Sequence, residues 1–410
     1  MTTLRHITIT AAISIVSALS FATHTQAATI VIDAETGHPL AKASVFDSNG
    51  TVVAICTDNG EIPYVGTEAY PITIQYIGYT PLTLDAPADG PVEMHATEFN
   101  LSEIEIVSQK QQVLQLTGYL REYSTLTTSK GDVTMFREKS VDFMIPSKDV
   151  KRFAGWLSPR VLTSRSYYRF TDSEGLDSVS NTFSQHFSWS DWVGIFKNRR
   201  LPNSISSNEN TTDTIWGKYT PSQVWTRNGD SVTLDIDMLA HNKNLEWVPR
   251  MALFMGTGND FTRFSIKYRF DDVTASDITA DNIAHMSYNI ESSRSGRDMH
   301  RLSFREQPLY VNTYAELYIT DRRYISVGAA RRLEKQPTAD SDATLTAPDN
   351  IPPLPQPVVD LIARVNDIDH DHRRGTAAAD HRYIGKPNKE RFSIIGTVKK
   401  VAKRIGSQIG

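Results

Sequence analysis

Apolar and polar residues alternate along much of this chain. Val232, Leu234, Ile236 and Met238 fall on one side of an extended backbone, with Thr233, Asp235 and Asp237 on the other. Just before this run, Asn228-Gly229 follows Val224-Trp225-Thr226-Arg227. Asn-Gly is the preferred pair for a type I′ hairpin turn, in which both central residues have positive φ, so 224–238 predicts a tight hairpin. The same period of two recurs at 264–270, 286–290 and 309–319, which predicts long antiparallel strands with one wet face. Two helices are expected between them. One runs over 147–156 with Ser147 as N-cap. The other holds Trp189, Trp192, Val193 and Phe196 at helical spacing, closed by Lys197, Arg199, Arg200 and then Pro202. The region 109–335 therefore reads as a β-rich α+β domain, a large antiparallel sheet with packed helices.

The first part of the chain has shorter strands. Thr29 to Asp33, Ala43 to Phe46, Thr51 to Ile55 and Ile72 to Tyr76 are extended runs separated by Gly, Asn and Asp turns, which predicts a β-sandwich over 28–107. Ile72, Ile74 and Tyr76 share one face of the last run. Cys56 closes an apolar run and reads as a small core residue.

These residues also resemble a known family. Asp33 to Leu40, Ala43-Ser44-Val45, Thr57-Asp58-Asn59-Gly60 and Ile74-Gln75-Tyr76-Ile77-Gly78-Tyr79 look, in that order, like the carboxypeptidase regulatory-like domain. The resemblance covers about 80 residues. It implies a seven-stranded, transthyretin-like sandwich that serves as an accessory or docking module and carries no peptidase chemistry. The run Leu101 to Val107 is similar to the exit strand of this domain in Gram-negative envelope proteins, including the N-terminal extensions of TonB-dependent receptors. Glu61-Ile62-Pro63 departs from the family pattern at one edge. The segment Ala315 to Glu334 resembles the closing strand-plus-helix of uncharacterised exported proteins with the same first domain, and implies no activity.

The ends of the chain add a destination. Arg5 and His6 precede a mostly apolar stretch, Ile7 to Phe21, and Thr25-Gln26-Ala27 offers small residues for cleavage. Residues 1–27 thus predict a signal peptide, too short in its apolar part for a membrane span. Export to the periplasm, outer membrane or cell surface of a Gram-negative bacterium is expected. Prolines 348, 352, 353, 355 and 357 make 336–357 an extended, semi-rigid linker. Val358, Val359, Leu361, Ile362 and Val365 then space a short amphipathic helix within the tail 358–410. From 386 to 410 there are seven basic residues against Glu390, a net of +6. A basic amphipathic helix there can lie on an anionic membrane surface or dock on an acidic partner; the plainer reading is a solvated terminus.

Composition narrows the function classes. With 43 basic and 47 acidic residues the net charge is −4, which gives no whole-chain case for nucleic acid. A single Cys excludes an internal disulfide and a Cys-based metal cluster. His95-Ala96-Thr97-Glu98 has the spacing of a zinc ligand pair, but no third ligand or helix accompanies it. Asp367, Asp369, His370, Asp371, His372, Asp380 and His381 form a His/Asp-rich tract without a fixed element to orient ligands. Asp235 and Asp237 share a strand face, which reads as a solvated sheet surface rather than an acid–base pair. Gly256-Thr257-Gly258 lacks the third glycine of a dinucleotide loop. Arg165, Tyr167, Tyr168, Arg169 and Phe170 read as a core strand with snorkelling arginines. Asn100 and Asn210 are sequons that matter only on a eukaryotic secretory route.

No catalytic, cofactor-binding or metal residue is therefore expected, and no cofactor. Two functions of different class follow. One is a non-enzymatic envelope protein whose sandwich docks and whose sheet domain binds an envelope protein or a glycan, with an exposed apolar or aromatic patch rather than a convergent polar pocket. The alternative is a hydrolase acting on glycan or peptide, which needs a cleft holding two perturbed titratable groups.

Overall fold

A computed structural model describes residues 28–97, 111–129, 131–146, 153–172, 174–175, 177–181, 189–190, 193–206, 211–248, 260–274, 276–295, 308–335, 345 and 347–367. The fold is mainly β, as the alternating pattern requires. Residues 1–27, expected to be a signal peptide, the Leu101 to Val107 run, Gly256-Thr257-Gly258, Asn100, Asn210 and the basic residues 386–410 lie outside the described residues, as does the His/Asp tract beyond Asp367.

The first unit holds β1 (Ile30–Asp33), β2 (Ser44–Phe46), β3 (Val52–Ile55), β4 (Ile72–Gln75), β5 (Leu82–Leu84) and β6 (Pro91–Met94). β1 and β6 pair in parallel, and the other four form an antiparallel sheet in the order β3-β2-β4-β5. Among the described residues this is six strands where the family resemblance implies seven. Val31, Val45, Cys56, Ile72, Ile74 and Met94 fill the space between the two layers. Cys56 is thus the core residue expected, and burial pushes its thiol up to about 12. Strand β4 is buried on both faces, Thr73 and Gln75 as fully as Ile72 and Ile74. The polar face of β4 does not meet water because it is pressed on the second unit.

That second unit is one ten-stranded antiparallel sheet in the order β10-β9-β8-β7-β18-β17-β15-β14-β13-β12. Its long strands are β7 (Gln111–Thr128), β8 (Gly131–Pro146), β9 (Trp156–Asp172), β17 (Ile283–Ser295) and β18 (Pro308–Ser326). Shorter ones are β10 (Asp177–Ser180), β12 (Thr211–Trp216), β13 (Pro221–Asn228), β14 (Ser231–Asp237) and β15 (Asp260–Phe270). β11 (Asn198–Arg200) and β16 (Asp277–Thr279) form a separate pair. The segments 264–270, 286–290 and 309–319 all lie in strands, in keeping with their period of two.

One face of this sheet carries the main core, including Leu116, Val133, Phe143, Tyr168, Leu234, Tyr268, Tyr288 and Leu317. The opposite face is covered over much of its area, where a wet face was expected. The first unit lies on it through Ser44, Phe46 and Gln75. Phe46 meets Tyr123 and Tyr314 edge-on, with ring centroids 5.3 and 5.9 Å apart. The sheet therefore has a core face and a seam face.

Three local expectations are corrected. The hairpin of β13 and β14 exists, but its loop is Gly229-Asp230 between the paired Asn228 and Ser231. Positive φ is confined there to Gly229, so the turn is not type I′. Of the expected helix 147–156, residues 147–152 lie outside the description and Trp156 opens β9. Of the expected helix through Trp189, Trp192, Val193 and Phe196, residues 191–192 lie outside the described residues; Val193 donates to the Trp189 carbonyl, but Ile195 donates to that of Leu157, so residues 193–196 do not continue a helix. Trp189, Val193 and Phe196 all reach the core face, which is what gave them their spacing.

Two α-helices are present in the described residues. α1 (Val327–Lys335) follows β18, giving the strand-plus-helix of 315–334. α2 (Gln356–Asn366) buries Val358, Leu361 and Val365, one stripe at helical spacing, against Phe46, Tyr123 and Phe136 on the seam face. The proline-rich stretch leading to it is not a free spacer where it is described. Ile351 is buried beside Tyr119 and Tyr318, and Arg121 Nη1 donates to the Pro352 carbonyl at 2.7 Å. Residues 347–355 act as a strap across the seam face.

Candidate functional site

Burying two polar surfaces together requires that their polar atoms find one another. Along the seam, Gln75 Nε2 donates to Tyr123 Oη at 3.2 Å and Ser44 Oγ donates to Asn289 Oδ1 at 3.1 Å. Glu316 accepts from Tyr314 Oη at 2.6 Å and Tyr318 Oη at 3.2 Å. Burial pushes the Glu316 carboxyl above the ordinary range, and the nearby Arg121 guanidinium opposes that rise. His285 lies under Gly78, whose φ of +80° brings its backbone against the imidazole. Burial, with the charges of Arg269 and Lys267, holds that imidazole down to about 3, so it is neutral at physiological pH.

Where the first unit stops covering the sheet, a groove of about 530 Å³ remains. Lys42 and Asp58 form its wall, and Asp235, Asp237, Arg263, Lys267, Ser287 and Asn289 its floor. Lys42 has φ +61°, a left-handed conformation uncommon for a side-chain-bearing residue. Tyr219 stands at the rim, 79% exposed, with Lys218 Nζ 4.7 Å from its ring centroid.

The cations of this groove are each matched by a carboxylate, that of Arg263 lying just beyond the groove. Lys42 pairs with Asp58 at 2.8 Å, Lys267 with Asp235 at 2.5 Å, and Arg263 with Glu291 at 3.4 Å. Asp237 Oδ1 accepts the Leu239 amide at 2.9 Å. Burial opposes the Lys267 charge, but Asp235 and Tyr76 outweigh it and raise the ammonium's pKa. Its Nζ lies 4.6 Å from the Tyr76 ring centroid, and burial raises the Tyr76 phenol in turn. Both shifts move away from neutrality. Lys267 stays charged and Tyr76 stays protonated, so neither is poised to exchange a proton at neutral pH.

A second polar cluster sits on the core face. Glu122 Oε2 accepts from Arg137 Nη2 at 2.7 Å and Lys139 Nζ at 3.2 Å. Lys139 Nζ also donates to Ser190 Oγ at 2.5 Å, and Ser190 hydrogen-bonds to Glu122. A serine on a lysine is a nucleophile arrangement in some hydrolases. Here Ser190 has no exposed surface and its hydroxyl is engaged by Glu122, so no carbonyl reaches it.

The residues weighed from sequence scatter. His95 lies just past β6, where its carbonyl accepts the Thr80 amide; Glu98 lies outside the described residues. Among the described residues no group of three metal-ligating side chains gathers. Tyr167 and Tyr168 point to opposite faces of β9, and Arg169 pairs with Asp177 at 2.7 Å. Asp235 and Asp237 do share the floor of the groove, but one is tied to Lys267 and the other to a backbone amide. Sequence reading missed Lys42, Arg263, Lys267 and Glu291. Lys267 stands directly opposite Asp235 across β14 and β15, and Glu291 opposite Arg263 across β15 and β17. Cross-strand charge pairing is the signal, and it is readable only once the register is known.

No family model matches the chain, and no curated protein does. Among solved structures, one described as lipid–protein interactions in lipovitellin aligns at 9% identity and a TM-score of 0.23, covering 59% of this chain. The chain spans about a quarter of that protein's length, 27%. At that score the alignment carries no argument about fold or ligand.

Proposed function

We propose that this chain is a non-enzymatic binding protein of the Gram-negative cell envelope, exported by its first 27 residues. The sandwich serves as an accessory module that walls a ligand groove on the sheet. The observation that carries this reading is that each of the groove's cations already holds a carboxylate. Lys42, Lys267 and Arg263 are each matched by a carboxylate, which leaves a surface suited to holding a ligand and no group prepared to cleave one. A convergent polar groove was the feature expected of the hydrolase alternative, so that part of the expectation is revised. The protonation states of Lys267 and Tyr76 favour binding over turnover.

The test is to incubate the purified chain with envelope glycan and peptide fractions and weigh what it retains. Retained material is expected to return with unchanged mass. Cleavage that disappears in Asp237→Asn overturns the reading in favour of the hydrolase. Fusing residues 1–27 to a reporter is expected to deliver it to the periplasm; a reporter kept in the cytoplasm refutes the export half.

A further inference from the structure

From the groove and a second cavity beside it, we infer that the site takes an uncharged, hydroxyl-rich linear chain, a neutral oligosaccharide, laid across the strands of the seam face. The inference rests on the binding reading above and specifies its ligand. The second cavity, about 220 Å³, is lined by Thr51, Thr125, Thr127, Ser293, Tyr310 and Asn312. It carries mainly hydroxyls and an amide, with the single carboxylate of Glu291, which is held by Arg263 of the first. The two cavities meet at Thr262, which borders both. Thr262 sits at the bulge between Phe261 and Arg263, the kind of irregularity that re-aims a side chain out of a sheet. Together the cavities run from β13 across β14, β15, β17 and β18 to β7. The five gaps between these six neighbouring strands, at about 4.8 Å each, give a path of roughly 24 Å, long enough for an oligomer and too long for one sugar.

Charge decides against an anionic ligand. The groove's cations are already paired, so an anionic chain has to break a pair to be held, while the Asp237 carboxylate accepts a backbone amide. Paired carboxylates and ammonium groups still offer free lone pairs and N–H bonds to hydroxyls at little cost. Two exposed aromatic rings mark the ends of the path. Tyr219 is 79% exposed beside the first cavity and Tyr310 is 54% exposed at the second. Such rings offer flat apolar faces on which the C–H side of a pyranose stacks while its hydroxyls meet polar neighbours. Asn312 Oδ1 lines the second cavity and, among the described residues, is buried without a hydrogen-bond donor. A ligand hydroxyl donating to it removes that cost.

Calorimetric titration of the full chain with cello-, xylo-, malto- and chito-oligosaccharides of increasing length tests this. At least one series is expected to bind, with affinity rising with length to a plateau. Tyr219→Ala and Tyr310→Ala are each expected to weaken binding about tenfold. Both rings are exposed, so the variants are expected to keep the parent's circular dichroism and melting temperature. Oligogalacturonate and a neutral peptide serve as the charged and non-sugar controls. If either binds in the groove while every neutral series fails, the ligand class is wrong and the binding reading stands. If a neutral series is shortened rather than held, the ligand class stands and the non-enzymatic reading falls. Failure of all four series overturns the inference.

Discussion

His285 gains its neutral state from its neighbours. It is buried, Arg269 and Lys267 add positive charge nearby, and its imidazole titrates at about 3 against 6.5 when free. The folded chain therefore refuses a proton that the unfolded chain takes up below pH 6.5. Stability is full above that point and falls as the pH drops toward 3, by about 1.4 kcal/mol per pH unit from this residue. Urea unfolding between pH 7.5 and 5, a range where most carboxylates stay ionised, is expected to show a loss that steepens toward this slope at the acid end in the parent chain and is absent in His285→Asn. An equal slope in both removes His285 as the cause. Glu122 makes a second prediction of this size. It holds Arg137 and Lys139 in a setting with less than 4% side-chain exposure for all three. Glu122→Ala is expected to cost about 3–5 kcal/mol of unfolding free energy, because buried cations lose their common carboxylate. A loss below about 1 kcal/mol means that water or other groups already neutralise them.

Among the elements, those whose period was unbroken were legible. β14, β15, β17 and β18 follow from alternation alone, and α2 from Val358, Leu361 and Val365. Helical spacing misled at Trp189, Val193 and Phe196, because a segment crossing a core face can bury the same three positions with one helical hydrogen bond, Val193 to Trp189, and no continuous helix. The Asn-Gly pair located the hairpin but not its turn, since the pairing of Asn228 with Ser231 shifted the loop by one residue. Helix α2 also carries a prediction. Leu361 is 3% exposed against the seam face. Leu361→Ala is expected to destabilise the chain by about 2–4 kcal/mol and to speed proteolysis between 347 and 367. Unchanged melting and proteolysis show instead that the strap contributes nothing to stability.

At the scale of the whole molecule, the two units share so much buried surface that neither completes its burial alone. Ser44, Phe46, Thr73 and Gln75 are all buried against the sheet, and Tyr123, Tyr314 and Tyr318 are buried in return. Scanning calorimetry of the full chain is expected to give one cooperative transition whose calorimetric and van't Hoff enthalpies agree. Two resolved transitions reveal an interface too weak to couple the units. The candidate groove exists only because of this docking: its wall comes from Lys42 and Asp58 and its floor from β14, β15 and β17.

Taken alone, the sequence determined that strands dominate, which residues alternate, that Cys56 is a core residue and where α2 lies. Those properties depend on the local period of apolar side chains and on backbone geometry, which neighbours in the chain dictate. Tertiary structure alone decided which unit covers which face, how β14 registers with β15 and β17, and that Lys267 meets Asp235. Those contacts join residues far apart along the chain, and the polar side of an alternating strand looks the same in sequence whether water or another domain lies against it.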